Sequence, residues 1–373
     1  MRIKLLGVID EDPFDPITWS GSSKFFFDSL YANNTLYKAI SATPPKSKQL
    51  AYKLLSFQTD LEKWKFKYHL NTSYFKQMTH AALKTIETFD TDAYNAILQV
   101  GAWYDFTHSN KLVASYHDGN LARRLESPYG YPNISQNHIN KALNYERKLY
   151  SRIDYIFPMS QWLADSFCND FSVDENKVFP VGAGINLPRI IPPSSSRQTT
   201  KKILFVGKDF RRKGGHILLE AFEVVKKHIN NAELIIAGPE LNDLPDGVRC
   251  EGFISKNSTD GINKLLTLYS EANVFALPTL YEPFGIAYAE AMAHKLPCIG
   301  TNNFAIPEII DHGKTGFLIP PNDSQSLANS LITLLEDDNL CVQMGEQAFK
   351  KYYTNYRWEI VSKKITDILE KDV

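Results

Sequence analysis

The stretch NVFALPTLYEPFGIAYAEAMAH, residues 273–294, contains the local pattern that decides the fold. The apolar run NVFALPT is typical of a buried strand, and IAYAEAMAH is typical of a helix. Between them, Pro283 suits the first turn of a helix, and Gly285 allows a ligand to approach the backbone. A helix that begins here directs free N–H groups and the positive end of its dipole toward an anion. The stretch therefore predicts a strand, a phosphate-binding loop and a helix.

Short apolar runs alternate with longer helical patterns along the rest of the chain. The runs that predict strands in the first half are IKLLGVI, AILQV, LVASYHD, YIFPMS and KVFPVGAG. Those in the second half are KILFVGK, AELIIAGP, NVFALPT, PCIGT and GFLIPP. Strands that alternate with helices imply parallel sheets covered on both faces. The intervening RIIPPSSSRQTTKK, residues 189–202, has no periodicity and predicts a linker. We expect two doubly wound α/β domains facing each other across a cleft, with ligands beyond the carboxyl ends of the strands.

Composition excludes several classes of protein. The 373 residues carry a formal net charge of -1, so no overall field attracts nucleic acid, and we expect no nucleic-acid partner. No run of about 18 apolar residues predicts a membrane-spanning helix. The beginning, MRIKLLGVIDEDPFD, turns acidic too soon for a signal peptide, and the four cysteines lack metal-ligand spacing. These features predict a cytoplasmic protein with thiols in a reducing compartment.

Two carboxylates flank the predicted phosphate loop. Glu282 would be repelled by a phosphate, so we expect its oxygens to accept hydrogen bonds from hydroxyls. Glu290 lies 290 − 282 = 8 positions further, which corresponds to about 12 Å along a helix and roughly 80° around it. A nucleoside diphosphate sugar spans such a distance, with its sugar hydroxyls at Glu282 and its ribose at Glu290. The alternative is an amphipathic helix whose glutamates are merely solvated.

A basic cluster follows the first strand of the second half. Lys208, Arg211, Arg212 and Lys213 occupy the glycine-bearing segment FVGKDFRRKGGH between a strand and a helix. Lysine and arginine in such a loop suit phosphate oxygens. The segment lacks the Gly-Lys-Ser/Thr sequence of a P-loop, and the alternative is a solvated loop with ordinary charges.

Taken together, these segments resemble the family-4 retaining glycosyltransferases of the GT-B fold. Glu282 and Glu290 match the Glu-x(7)-Glu motif of that family. FVGKDFRRKGG is similar to its Gly-Arg-x(4)-Lys-Gly segment, with Lys208 where the family usually has arginine and Lys213 on its lysine. The segments TWSGSSKFFFDSL, PMSQWLADSFCNDFSVDENKVFPVGAGIN and IPEIIDHGKTGFLIPPND also resemble the family, so the similarity covers nearly the whole second half and patches of the first.

The resemblance implies two Rossmann-like domains and a helix that returns from the end of the chain to the first domain. The expected bounds are an acceptor-side domain at 1–190 with the returning helix 357–373, a linker at 191–201, and a nucleotide-sugar domain at 202–356. It also implies a retaining hexosyltransferase that makes α-linkages and needs no metal or other cofactor. The co-substrate is a nucleotide diphosphate sugar, and the acceptor is a carbohydrate or lipid-linked. We expect the acidic triplet at 10–12 to be exposed rather than to bind a metal.

Site residues follow from the same resemblance. The catalytic candidates are Glu282, His117, Lys208 and Lys213. The donor-binding candidates are Gly21, Ser22, Gly207, Arg212, Phe253, Ile254, Phe284, Gly285, Ile286 and Glu290. Of these, Phe253 and Ile254 would meet the base, and His117 would hydrogen-bond a hydroxyl of the donor sugar. The alternatives are that His117 is a satisfied histidine at a strand end and that Gly21 is an ordinary loop glycine.

Other activities on the same architecture are an epimerase-like or phosphorylase reaction and a non-catalytic nucleotide-sugar-binding subunit. The epimerase type lacks the paired glutamates, a phosphorylase needs a longer chain, and a binding subunit would be expected to lose the charges at Lys208, Lys213, Glu282 and Glu290. The donor sugar, the nucleotide and the acceptor have no readable code in the sequence.

Residues 46–76 form a basic segment with seven lysines against Asp60 and Glu62, a net of 7 − 2 = +5. Its apolar residues are spaced 4, 3, 4, 3 and 4 apart, at Leu50, Leu54, Phe57, Leu61, Trp64 and Tyr68. That spacing predicts one face of a helix. A basic amphipathic helix contacts an anionic membrane surface, which predicts peripheral membrane association. The alternative is that the apolar face packs on the first sheet and the lysines are solvated.

Overall fold

The computed structural model describes residues 2–127 and 134–372. Contacts between residues divide the chain into two compact units. The first comprises residues 1–182 with 361–373, and the second comprises residues 183–360. The first unit ends eight residues before the expected bound at 190, and the expected linker 191–201 lies within the second unit.

The first unit is built on a five-stranded parallel sheet in the order β2-β1-β3-β4-β5. Its strands are β1 Leu5–Ile9, β2 Leu36–Ser41, β3 Ala96–Val100, β4 Leu112–His117 and β5 Tyr155–Pro158. Strands β1 and β3 are buried along their whole length because each has neighbours on both sides and helices on both faces. Its helices are α1 Ser22–Ala32, α2 Lys46–Leu55, α3 Leu61–His69, α4 Thr72–Ile86, α5 Leu121–Leu125, α6 Gln136–Tyr150 and α7 Gln161–Asn169.

The second unit contains a six-stranded parallel sheet in the order β11-β10-β9-β6-β7-β8. Its strands are β6 Lys201–Val206, β7 Ala232–Ala237, β8 Val248–Gly252, β9 Val274–Leu277, β10 Cys298–Thr301 and β11 Gly316–Ile319. Its helices are α8 Gly215–His228, α9 Thr259–Glu271, α10 Ile286–Ala293, α11 Ile306–Ile309, α12 Ser324–Glu336 and α13 Asp338–Asn355. Helices α9, α12 and α13 are capped at their N-termini by Ser258, Asp323 and Asp337, whose side chains accept hydrogen bonds from backbone N–H groups of the first turn.

The last helix, α14 Trp358–Leu369, is the predicted returning helix, and its part from Val361 onward belongs to the first unit. The Ser362 hydroxyl lies 2.8 Å from that of Ser29 on α1, and Asn33 donates to Ser362 at 3.0 Å. Short 3-10 helices cover Thr18–Gly21, Thr91–Ala93, Glu175–Lys177, Ser195–Gln198 and Glu370–Asp372.

Two predictions of secondary structure were wrong, and two strands were missed. The run KVFPVGAG forms no strand, only an isolated bridge between Val178 and Ile156 of β5. Strands β2 and β8 were not predicted, and both lie at the edge of a sheet, where their solvent-facing residues interrupt the apolar pattern. The single helix expected over 46–76 is instead α2, α3 and the beginning of α4, separated by residues 56–60 and 70–71.

Among the described residues, no helix combines the length and apolar character that crossing a membrane requires.

Candidate active site

The two motif-bearing loops of the second unit, residues 207–214 and 278–285, lie where the order of the strands reverses. From β6 the chain continues to β7 and β8 on one side, whereas β9, β10 and β11 lie on the other. Strands β6 and β9 are hydrogen-bonded neighbours, so the loops at 207–214 and 278–285 leave the same edge of the sheet side by side. Ligands of open α/β sheets bind at such a switch point.

Backbone contacts hold these two loops together. The Leu280 N–H and the Thr279 hydroxyl both donate to the Arg212 carbonyl, at 2.8 and 3.2 Å. In return, the Arg212 guanidinium donates to the Tyr281 carbonyl at 2.8 Å and to the Asp209 carboxylate at 3.2 Å. Arg212 therefore bridges the loops in this structure, and its predicted contact with the donor stays a prediction.

Lys213 and Glu282 form an ion pair between the loops. The Lys213 ammonium donates to the Glu282 carboxylate, and only 14% and 9% of the two side chains are exposed. Burial lowers the pKa of Lys213, and the carboxylate of Glu282 opposes that shift. Gly207 keeps room for the lysine, since a Cβ there would lie 3.1 Å from its Cγ. The structure thus brings two of the predicted catalytic residues into direct contact.

The loop after β9 ends at an open helix terminus. Gly285 caps α10 with φ +108°, and a Cβ at this position would lie 2.7 Å from the Tyr288 ring, so the turn requires glycine. Within the described part of the chain, the backbone N–H groups of Phe284, Gly285 and Ile286 donate to no protein acceptor. The Phe284 side chain is buried and stacks edge-on with Tyr356, which leaves its backbone for contact with a ligand as the remaining possibility for this residue. This terminus has the features of an anion-binding site.

Glu290 is buried in α10 and saturated with hydrogen bonds. Its carboxylate accepts from the Lys256 ammonium at 2.6 Å, from the Tyr269 hydroxyl at 3.1 Å and from the Asn186 N–H at 3.3 Å. These partners lie 34, 21 and 104 positions away along the chain, and sequence reasoning missed all three. Lys256 is 28% exposed, which leaves it the partner best able to give way to a ligand hydroxyl.

The predicted catalytic residue Lys208 and the predicted donor-binding residue Phe253 lie together after the ends of β6 and β8. The Lys208 ammonium stands 5.5 Å from the centre of the Phe253 ring, within range of a cation–π interaction. Phe253 is 62% exposed and Ile254, the next residue, is half-buried; their predicted contact with the base stays a prediction.

In the first unit, the predicted glycine loop has an unusual backbone. Trp19, Ser20 and Gly21 all adopt the left-handed conformation before α1 begins at Ser22, which is buried. The Trp19 indole donates to the Asp118 carboxylate at 2.9 Å, so this loop contacts the segment that follows β4. The predicted donor contacts of Gly21 and Ser22 stay predictions.

His117 ends β4 and is 1% exposed. Its ring packs edge-on against Tyr150 and Phe167, with centroids 5.6 and 5.0 Å away. Among the residues that the structure describes, no group forms a hydrogen bond with its buried Nε2. Burial lowers the pKa of His117 to about 3, with a backbone hydrogen bond to Gly119 opposing, and the ring is neutral near pH 7. Its predicted contact with the donor sugar stays a prediction.

A cavity of about 400 Å³ lies beyond the carboxyl ends of β1, β2 and β3, at the switch point of the first sheet, where β1 and β3 are neighbours. It is lined by Asp10, Glu11, Thr43, Gln49, Lys53, Trp64, Lys65, Tyr68, His69, Tyr74, Met78 and Trp103. Asp10 is half-buried rather than exposed as predicted, and burial together with the nearby charge of Glu11 raises its pKa to about 6. Aromatic walls with a few charged groups are typical of a small-molecule site.

The described residues contain no group of three or more His, Cys, Asp or Glu side chains placed to hold a metal ion. The four cysteines are free; Cys298 and Cys341 are buried, and Cys168 and Cys250 are half-buried.

Residues 188–351 match the family model described as glycosyl transferases group 1. An uncharacterized glycosyltransferase of Methanocaldococcus jannaschii is 27% identical over 301 residues, covering 71% of this chain and 75% of that protein. Seven further curated relatives are matched over 43 to 58% of their own length, about half of each.

Solved structures agree with this match. Sucrose-phosphate synthase from Thermosynechococcus elongatus has a TM-score of 0.73 at 16% identity, covering 99% of this chain and 98% of that one. Anabaena HepE in complex with UDP and glucose has a TM-score of 0.65 at 16% identity, covering 99% of both chains. At this identity the similarity concerns the fold alone, and it confirms the predicted GT-B fold.

Proposed function

We propose that the protein is a retaining hexosyltransferase, and the match of residues 188–351 to the family model of the glycosyl transferases group 1 supports this proposal. It moves a sugar from a nucleotide diphosphate sugar to the hydroxyl of a carbohydrate or lipid-linked acceptor, forming an α-linkage in glycan, polysaccharide or glycolipid synthesis. The observation that carries the proposal is the buried Lys213–Glu282 pair beside the open N-terminus of α10.

The donor diphosphate would occupy the open helix terminus. The free N–H groups at 284–286 and the dipole of α10 supply positive potential without a mobile charge. Lys213 adds a full charge from the neighbouring loop, and Lys208 adds a second from the end of β6. A site with these donors stabilises the negative charge that develops on the leaving diphosphate. We therefore propose that no metal ion is required.

Glu282 would orient the sugar. Its carboxylate is buried against Lys213, so it stays close to the phosphate site without contacting phosphate itself. Its free lone pairs accept hydrogen bonds from sugar hydroxyls, which a phosphate oxygen cannot offer. At the other end of the donor, Glu290 exchanges its hydrogen bond from Lys256 for one from a ribose hydroxyl, while Tyr269 and Asn186 keep the carboxylate in place.

The reaction we propose is a substitution on one face of the sugar. The bond between the anomeric carbon and the diphosphate oxygen breaks, and its electron pair leaves with the diphosphate. The acceptor oxygen then bonds to the anomeric carbon from the same face, so the configuration is retained. The acceptor proton passes to the departing phosphate oxygen, and no protein base is consumed.

The test is a donor screen. The protein is incubated with UDP-, GDP- and ADP-sugars, and release of the nucleoside diphosphate is measured. We expect release from one class of donor and, with Glu282→Ala, a loss on the order of 100-fold or more, because the reacting sugar is no longer oriented. Glu220, an exposed residue of α8, provides the matched control, and Glu220→Ala should behave as wild type.

Two results would contradict the proposal. One is the absence of release from every donor by the folded wild-type protein, and the other is near-wild-type turnover by a folded Glu282→Ala variant. The anomeric configuration of any product, read by NMR coupling constants, tests retention separately from transfer.

A further inference from the structure

Helix α2, the beginning of α3 and the loop between them expose apolar side chains that line neither the core nor a described cavity. We call these residues the apolar edge: Leu50, Leu54, Leu55, Phe57 and Leu61. Each of them leaves 56 to 76% of its surface exposed. Helix α2 contains no buried residue, although every other helix of ten or more residues whose buried residues are described packs several into the fold. Tyr52 of α2 packs against the core, whereas Leu50, Leu54 and Leu55 of the same helix stay exposed and add little to it.

Helices α2 and α3 form a helical hairpin, and one side of this hairpin lines the cavity of the first unit. Tyr68 is buried and Trp64 is half-buried, and both line the cavity at the end of β1 together with Gln49 and Lys53 of α2. The Trp64 indole donates to the Lys53 carbonyl at 2.7 Å, which ties α3 to α2. None of the apolar-edge residues lines that cavity. The hairpin thus has a cavity-facing side and a separate apolar side.

The segment that carries the apolar edge is also basic. The exposed lysines of the segment are Lys46, Lys48, Lys53, Lys65 and Lys76, of which Lys53 and Lys65 also line the cavity. With the remaining lysines and the two acidic residues, the segment carries the net charge of +5 counted from its sequence. Exposed leucine and phenylalanine next to lysine complement an anionic lipid surface, because the acyl boundary takes the apolar groups and the headgroups pair with the ammonium groups.

We propose that the apolar edge inserts into the boundary of an anionic bilayer and docks the first unit on it. The sequence predicted contact through the lysines, with the apolar face packed inward or not. In the structure the first part of that face, from Leu50 to Leu61, is exposed to solvent. Insertion of these apolar side chains would therefore add to the electrostatic attraction of the lysines. Docking would hold the aromatic cavity at the membrane surface, where the sugar of a lipid-linked acceptor is presented.

The test is co-sedimentation of the full chain with vesicles, without donor or acceptor, so its result does not depend on the proposed transferase activity. Vesicles of phosphatidylcholine alone are compared with vesicles that also contain phosphatidylglycerol. We expect binding to the anionic vesicles only, weakening as salt is raised. A Leu54→Ser/Leu55→Ser/Phe57→Ser variant should lose on the order of tenfold or more in partitioning.

Two further variants sharpen the result. Tyr31→Ser/Val342→Ser removes apolar side chains of similar exposure elsewhere and should bind as wild type does. Lys46→Glu/Lys48→Glu should weaken binding at low salt and converge with wild type at high salt. Failure of the wild type to bind anionic vesicles at low salt overturns the proposal. The proposal is also overturned if the folded triple serine variant binds as strongly as wild type. If that variant does not fold, the binding of Lys46→Glu/Lys48→Glu at low salt is the deciding measurement, and binding equal to that of wild type overturns the proposal.

Discussion

Lys213→Ala should weaken the binding of a nucleoside diphosphate while leaving the binding of the matching nucleoside almost unchanged. Lys213 is held by Glu282 next to the open terminus of α10, and its ammonium is the most buried cation of the two motif loops. A hydrogen bond to a charged group contributes about 1.5–3 kcal/mol. Removal of the ammonium should therefore raise the Kd of the diphosphate by roughly 10- to 150-fold.

The same substitution has a predictable cost in stability. It leaves the Glu282 carboxylate buried without its partner, and breaking a fully buried pair costs about 3–5 kcal/mol. Because both side chains retain some exposure, we expect a smaller loss, on the order of 2 kcal/mol in the free energy of unfolding. A chemical-denaturation curve measures this loss and establishes that the variant is folded at the temperature of the binding assay.

Isothermal titration calorimetry compares the two ligands on four proteins. Wild type and Lys213→Ala are joined by Lys208→Ala, for which we expect a smaller loss because Lys208 is exposed, and by Lys227→Ala as the control on the surface of α8. Equal losses for diphosphate and nucleoside in the Lys213 variant would refute the reasoning, since the lysine would then act on the site as a whole and not on phosphate.

Two other predictions concern pH and metal. Burial raises the pKa of Glu146 to about 7 from the ordinary 4.5, partly opposed by the Leu121 N–H, so its protonated form favours the folded state. The stabilisation by this proton is complete below pH 4.5 and is lost as the pH rises through 7. Glutamine cannot lose a proton, so the free energy of unfolding of Glu146→Gln should rise by about 2 kcal/mol relative to that of wild type as the pH goes from 5 to 8. Thermal unfolding of both proteins at the two pH values measures this difference. Transfer should continue in the presence of EDTA, and a loss of rate that magnesium or manganese restores would show that the diphosphate needs a metal.

The central strands were predictable from the sequence because both of their faces are buried. An apolar run such as AILQV has few alternatives once helical patterns flank it, and β3 covers the same five residues. The place of the two phosphate-site motifs was predictable for the same reason, since each follows a central strand and the carboxyl ends of parallel strands meet at one edge.

Pairing between distant residues was decided by the tertiary structure. Nothing near Glu290 in the sequence indicates that Lys256, Tyr269 and Asn186 surround its carboxylate, because these contacts arise from three different elements. The contact between Lys213 and Glu282, 69 positions apart, likewise depends on β6 and β9 being neighbours in the sheet.

The exposure of the segment at 46–76 was also a tertiary outcome. Its 4-3-4-3-4 spacing is a helical period, and from the sequence alone that period indicates a buried face. The chain instead breaks after Leu55 and turns Leu54, Phe57 and Leu61 into solvent while Tyr68 is buried. Strand β2 was not predicted because it lies at the edge of its sheet, where exposed residues interrupt the apolar pattern. Local sequence specifies periodicity, but the burial of a periodic face depends on which elements the rest of the chain brings against it.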